Sequence, residues 1–122
     1  MTLRALEMYR SLMEDLGEAG LAQLRREVKA HLAKLALAQA KHELIALDLA
    51  ELLASRLLAL LDEAPRMDAE SRAAVVGAAR YFCSTEDLLL DEASCMGLDD
   101  DVEVFNHVVE SLERRDLIIV DG

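Results

Sequence analysis

Asp87 and Asp91 stand one helical turn apart, and Asp99, Asp100 and Asp101 follow after a short loop containing Gly97. Two carboxylates at i and i+4 on a helix present their oxygens on one face, and hard divalent cations take several such oxygens at once. Asp87, Asp91, Asp99 and Asp100 are therefore the candidate ligands for calcium, magnesium or manganese, and a cation-dependent reaction is the chemistry they would serve. The same residues have a simpler use, because aspartates at helix ends accept bonds from unpaired backbone N–H groups. The spacing of a calcium-binding EF-hand loop is not met, since no Gly falls at its turn position.

Other reactive side chains are scattered. Glu27 with His31, and Glu103 with His107, are i, i+4 pairs, and His42 lies three turns beyond His31. None forms an HExxH zinc motif, so surface or hydrogen-bonded roles are expected. Cys83 and Cys95 lack CxxC spacing and read as reduced thiols, with Cys83 beside Phe82 as core. There is no serine elbow, phosphate-binding glycine loop or zinc-finger spacing.

Charge is divided by halves. Residues 1–61 carry 8 basic and 8 acidic side chains, whereas residues 62–122 carry 5 and 16, so the whole net charge of −11 belongs to the second half. Between Arg80 and Arg114 there are ten acids and no Lys or Arg. Such a surface repels phosphates and disfavours nucleic acid, while cations or basic protein surfaces are favoured.

The elements that would hold these residues are helical. The chain is 53% apolar but only 3% aromatic, so its core must be built from Leu, Ala, Val and Met. One Pro and five Gly leave little to punctuate a sheet. At 122 residues the expectation is one all-α domain spanning 1–122, a bundle of about five helices with one long central helix or a broken helix pair.

In chain order, a first helix is expected from Thr2, its N-cap, to Leu16, ended by Gly17 and Gly20. Leu21 to Asp62 then runs without Gly or Pro. One stripe uses Leu21, Leu24, Val28, Leu32 and Leu35, and a second uses Ile45, Leu49, Leu52, Leu53, Leu57 and Leu60, with Asp48, Glu51, Ser55 and Asp62 on another face. A single helix of that length would reach about 60 Å, longer than so small a domain covers, so either a break near Gln39 to Glu43 or a partner chain is implied. Pro65 closes the stretch and Asp68 caps the next helix, Ala69 to Cys83, where Ala73 with Gly77 and Ala74 with Ala78 allow close helix contact. A short helix over Glu86 to Asp91, capped by Ser84 or Thr85, leads to a loop. Asp99 or Asp100 caps the last helix, Asp100 with Glu103 as a capping box. Val102, Phe105, Val109 and Leu112 form its buried face, Arg114 and Arg115 complement its end, and Leu117 to Val120 reads as a short strand.

The run Tyr81-Phe82-Cys83-Ser84-Thr85-Glu86-Asp87-Leu88-Leu89-Leu90-Asp91, followed by Gly97-Leu98-Asp99-Asp100, resembles the signature of the bacterial YkvA-like domain of unknown function. The likeness covers about residues 72–112, with Thr85 and Leu90 at positions where that signature has Pro. It implies a small, helical bacterial domain without an established reaction. Asp48, Glu51 and Arg56 interrupt the most apolar run, so no transmembrane segment is expected, and no apolar leader follows Met1, which places the chain in the cytoplasm. The favoured role is a non-catalytic interaction or dimerisation module, meeting a protein partner or a second copy as a homodimer. The alternative is a divalent-cation-binding protein or cation-dependent enzyme built on the aspartate cluster.

Overall fold

The computed structural model describes residues 3–39, 47–84 and 97–119. Along them run α1 (Leu3–Leu12), α2 (Glu18–Gln39), α3 (Leu47–Glu63), α4 (Ala69–Cys83) and α5 (Gly97–Ser111), with short 3₁₀ turns at Ala64–Arg66 and Arg115–Leu117. The all-α bundle expected from composition is what forms, and the described residues contain no strand.

The long Leu-rich stretch is two helices, not one. α2 ends at Gln39 and α3 starts at Leu47, and the two lie against each other. Arg25, near the start of α2, meets Asp62, near the end of α3, at 3.0 Å, so the pair is an antiparallel hairpin. Leu21, Leu24, Val28 and Leu35 are buried along α2, as are Leu53, Leu57 and Leu60 along α3, while Asp48, Glu51, Ser55 and Asp62 face outward. Leu52 departs from its expected stripe and is 39% exposed. Ala50, Ala54 and Leu61 take the inward positions instead, which turns Leu52 off the buried row.

α4 is the helix the others surround, touching α1, α2, α3 and α5. Residues 74–79, with Tyr81 and Phe82, are buried all round its circumference, as expected of a helix with no free side. Its start is fixed as the sequence indicates. Asp68 holds extended backbone (ψ 168°) and accepts a 2.8 Å bond from the Ser71 N–H. Small side chains let α1 approach it, for a Cβ on Gly77 would lie 2.8 Å from both Tyr9 Cε1 and Met13 Cγ.

Several boundaries differ from expectation. α1 stops at Leu12 rather than Leu16, because Arg80 of α4 donates to the Leu12 carbonyl at 3.1 Å and to Glu14 at 2.9 Å, and Arg72 holds Asp15 at 2.6 Å. Two arginines two turns apart thus fasten the connection between α1 and α2, taking up a carbonyl left over at the helix end. Gly20 does not end α1 but lies inside α2, where Leu16 folds against it. Gly17 is the residue outside, its carbonyl accepting from Leu21 N at 2.9 Å.

The last helix begins at Gly97, so Asp99 and Asp100 fall within its first turn and are not caps. Val102, Phe105 and Val109 are buried as expected, joined by Val104 and Val108. Its far end carries no basic residue in the last turn. Instead the chain turns through Glu113 at φ 60°, with Glu113 N–H bonded to Glu110 O and Arg114 N–H to Val109 O. This is a Schellman ending with a glutamate where glycine is preferred. Because the left-handed conformation costs a side-chain-bearing residue about 1–2 kcal/mol, Glu113→Gly should stabilise the fold by about 1 kcal/mol, less the extra freedom glycine gives the unfolded chain. Urea unfolding checks this, and an unchanged or lower midpoint would refute it.

Arg114 is recruited away from the helix end, bonding Glu63 through Nη1 and pairing with Asp116. The expected strand over Leu117 to Val120 does not form in its described part. Asn106 accepts from Ile119 N and donates to Ile119 O, both at 2.9 Å, as a neighbouring strand would, and Arg56 donates to the carbonyls of Leu117 and Ile118. Two side chains satisfy backbone that a sheet would otherwise have to pair. Thr2, Ile45 and the short helix expected over Glu86 to Asp91 lie outside the described residues.

Candidate functional site

Asp87 and Asp91 lie outside the described residues. Asp99 and Asp100 open α5. There, negative charge is favoured by the helix dipole whether or not a cation is near. Asp101, the next residue, is 3% exposed and sits in the core with Val102 and Val104. Among the described residues no three His, Cys, Asp or Glu side chains converge as metal ligands.

The histidines separate into two environments. His31 is buried, and its ring meets Phe82 of α4 edge-on, centroids 4.9 Å apart at 83°. It is a core contact between α2 and α4, while Glu27 of the same pair is exposed. His107 is exposed and stands edge-on to Tyr9 at 6.0 Å, with Glu103 also exposed. Cys83 is half-buried at the edge of the core, and His42 and Cys95 lie outside the described residues.

A groove of about 480 Å³ opens between α1, the start of α4 and the end of α5, lined by Tyr9, Arg10, Glu70, Ser71 and His107 among others. Two of its polar side chains, Asp68 and Ser111, are committed to the backbone. Asp68 caps α4 through Ser71, and Ser111 donates to Val108 O at 2.6 Å. Burial pushes the Tyr9 phenol above its ordinary range, only partly offset by Arg10, so it stays protonated.

Ion pairs and a helix cap hold several carboxylates below the usual range. Asp15 is lowered by its bond to Arg72, Asp68 by Ser71, and Asp116 by Arg114. A carboxylate depressed in the folded state adds stability above its unfolded value, about 3.9, and loses it as pH falls through the lower folded value. The thermal midpoint should therefore drop as pH falls below about 4. Asp15→Asn and Asp116→Asn should each flatten that drop, and a wild-type midpoint constant down to the acid limit would refute the linkage.

The surface carries more of the functional information. Leu37 on α2 is 72% exposed and Leu3 on α1 is 69% exposed, with Met8 and Leu52 also outward. No family model matches this chain, and no curated protein or solved structure matches it either. Function must be read from the fold itself. Among the described residues, no helix is long and apolar enough to cross a membrane. The run from Tyr81 to Asp91 overlaps the described structure at its start, where Tyr81 is buried and the Ser84 hydroxyl closes α4 by donating to Tyr81 O at 2.8 Å.

The residues missed from the sequence are Arg56 and Asn106, each of which anchors the tail. Neither has a periodic signal, because a side chain bonding to distant backbone leaves no pattern in its own neighbourhood. The outward turn of Leu37 was legible in part, since it falls off the stripe of Leu21, Leu24, Val28 and Leu35.

Proposed function

We propose that this chain is a non-catalytic helical interaction module that works by associating with protein, first of all with itself. The observation that carries the reading is the pair of widely exposed leucines, Leu37 and Leu3, on helices whose other large apolar side chains are mostly covered. Fully burying such a side chain is worth about 1.5–3 kcal/mol, which a protein gains by covering it with a partner.

Sedimentation velocity tests the reading. A mass rising toward twice the 13.5 kDa of one chain at high micromolar concentration is expected. A mass fixed at one chain throughout would overturn it.

A further inference from the structure

We infer that the outer face of the α2–α3 hairpin is a self-complementary surface on which a second copy of this chain seats, an inference that rests on the self-association proposed above. Three observations carry it.

The first is the distribution of charge between the two helices. α2 holds Arg25, Arg26, Lys29 and Lys34 against Glu18 and Glu27, net +2, and α3 holds Asp48, Glu51, Asp62 and Glu63 against Arg56, net −3. On the exposed side, Arg26 and Lys34 of α2 stand at nearly the same levels along the hairpin as Asp62 and Glu51 of α3. An isologous interface brings the same patch of both copies together, so it must complement itself. A face with a basic half and an acidic half does so when a two-fold axis runs along the hairpin, laying each α2 over the α3 of the other copy.

The second is the height of the exposed leucines. Leu37 lies twelve residues beyond Arg25 and Leu52 ten residues before Asp62, and Arg25 and Asp62 touch. At 1.5 Å per residue the two leucines sit within about 3 Å of the same level along the hairpin. An axis parallel to the helices preserves level, so Leu37 of each copy meets Leu52 of the other. Ala30 and Ala33, exposed on α2 at helical steps before Leu37, leave room for close approach.

The third is repulsion elsewhere. The excess negative charge of the chain lies wholly in residues 62–122, so two copies meeting through that half would oppose each other. The hairpin, Asp62 and Glu63 included, is close to neutral at net −1. Its α3 is 17 residues long. With two helix widths, that gives a face of about 500 Å² per copy, roughly 1,000 Å² in all, the lower bound of a specific interface. Dimerisation is therefore reversible and concentration-dependent.

The experiment is sedimentation equilibrium on the wild type and on Leu37→Glu, Leu52→Glu and, on α1, Leu3→Glu, with helical circular dichroism to show that each variant folds. Leu37→Glu and Leu52→Glu should each weaken the dimer by at least about tenfold, and Leu3→Glu should leave it unchanged. A dimer that survives the two hairpin variants, or that Leu3→Glu dissolves, overturns this surface while leaving self-association standing. A wild type that stays monomeric overturns both.

Discussion

Replacing Gly77 with leucine should cost at least about 3 kcal/mol and detach α1 from the bundle, whereas alanine at the same site should cost about 1–2 kcal/mol. The difference follows from what a side chain would meet. A single methyl at Gly77 lands 2.8 Å from Tyr9 Cε1 and 3.0 Å from Tyr9 Cδ1, on a ring that is itself 4% exposed and unable to swing away. Met13, the other neighbour at 2.8 Å, is flexible and can yield. Alanine also recovers up to about 1 kcal/mol of helix propensity, so its net cost is the ring displacement less that gain. A second variant separates the two contributions. If crowding is the cause, Tyr9→Leu should reduce the penalty of Gly77→Ala when the two are combined, a coupling absent if the loss came from backbone freedom. Urea midpoints equal to wild type for Gly77→Ala would show that α1 and α4 do not approach this closely in solution.

The close crossing was readable before any coordinates, because a glycine in the middle of a helical pattern has a cost that only a neighbour can justify. The same kind of reasoning found the Asp68 cap and the inward rows of α2 and α3, where spacing alone decides which side chains meet. It succeeded wherever the cause was local. It failed at the end of α1 and at the tail, where the deciding partner is far away in the chain. The Leu12 end of α1 is set by Arg80, sixty-eight residues away, and the Leu117 tail by Arg56, sixty-one residues away. Helix propensity and capping patterns carry no information about such partners. Arg114 was misplaced for the same reason, since a cation near a helix end is drawn to Glu63 and Asp116 when those carboxylates are closer than the carbonyls.

The candidate chemistry was less legible. A run of aspartates has the same composition whether it binds a cation, opens a helix under the favour of its dipole or keeps a surface in water. The structure places Asp99 and Asp100 inside the first turn of α5 and buries Asp101, three adjacent residues with differing positions that no motif distinguishes. His31 shows the limit from the other side. Its pairing with Glu27 points to a surface or hydrogen-bonded role, and it stands at a position that continues the buried row from Leu24 and Val28 to Leu35. Periodicity identified the row, and the polar residue type hid one of its members.

Phe82→Ala should be the most damaging truncation in the core, costing about 3–5 kcal/mol. The side chain is 1% exposed, and truncation leaves a void lined by side chains of several helices that α4, enclosed on every side, cannot collapse to fill. It also removes the ring that His31 meets edge-on, a contact worth about 0.5–1.5 kcal/mol beyond the buried area. Phe82→Leu isolates that second part. It keeps most of the apolar volume and should cost about 1–2 kcal/mol, while the imidazole protons of His31 lose the ring-current shift that the aromatic edge geometry imposes. The two readouts move independently: a large unfolding penalty without a change at His31 would place the loss in packing alone and refute the aromatic contact. The consequence reaches the outer surface of the protein. His31 lies on the inner face of the helix whose opposite face carries Leu37, so the contact with Phe82 fixes the rotation of α2 about its own axis. Phe82→Ala should therefore weaken the proposed self-association by loosening the helix that would present its interface, with a loss of stability that Leu37→Glu, altering only the exposed side, does not share.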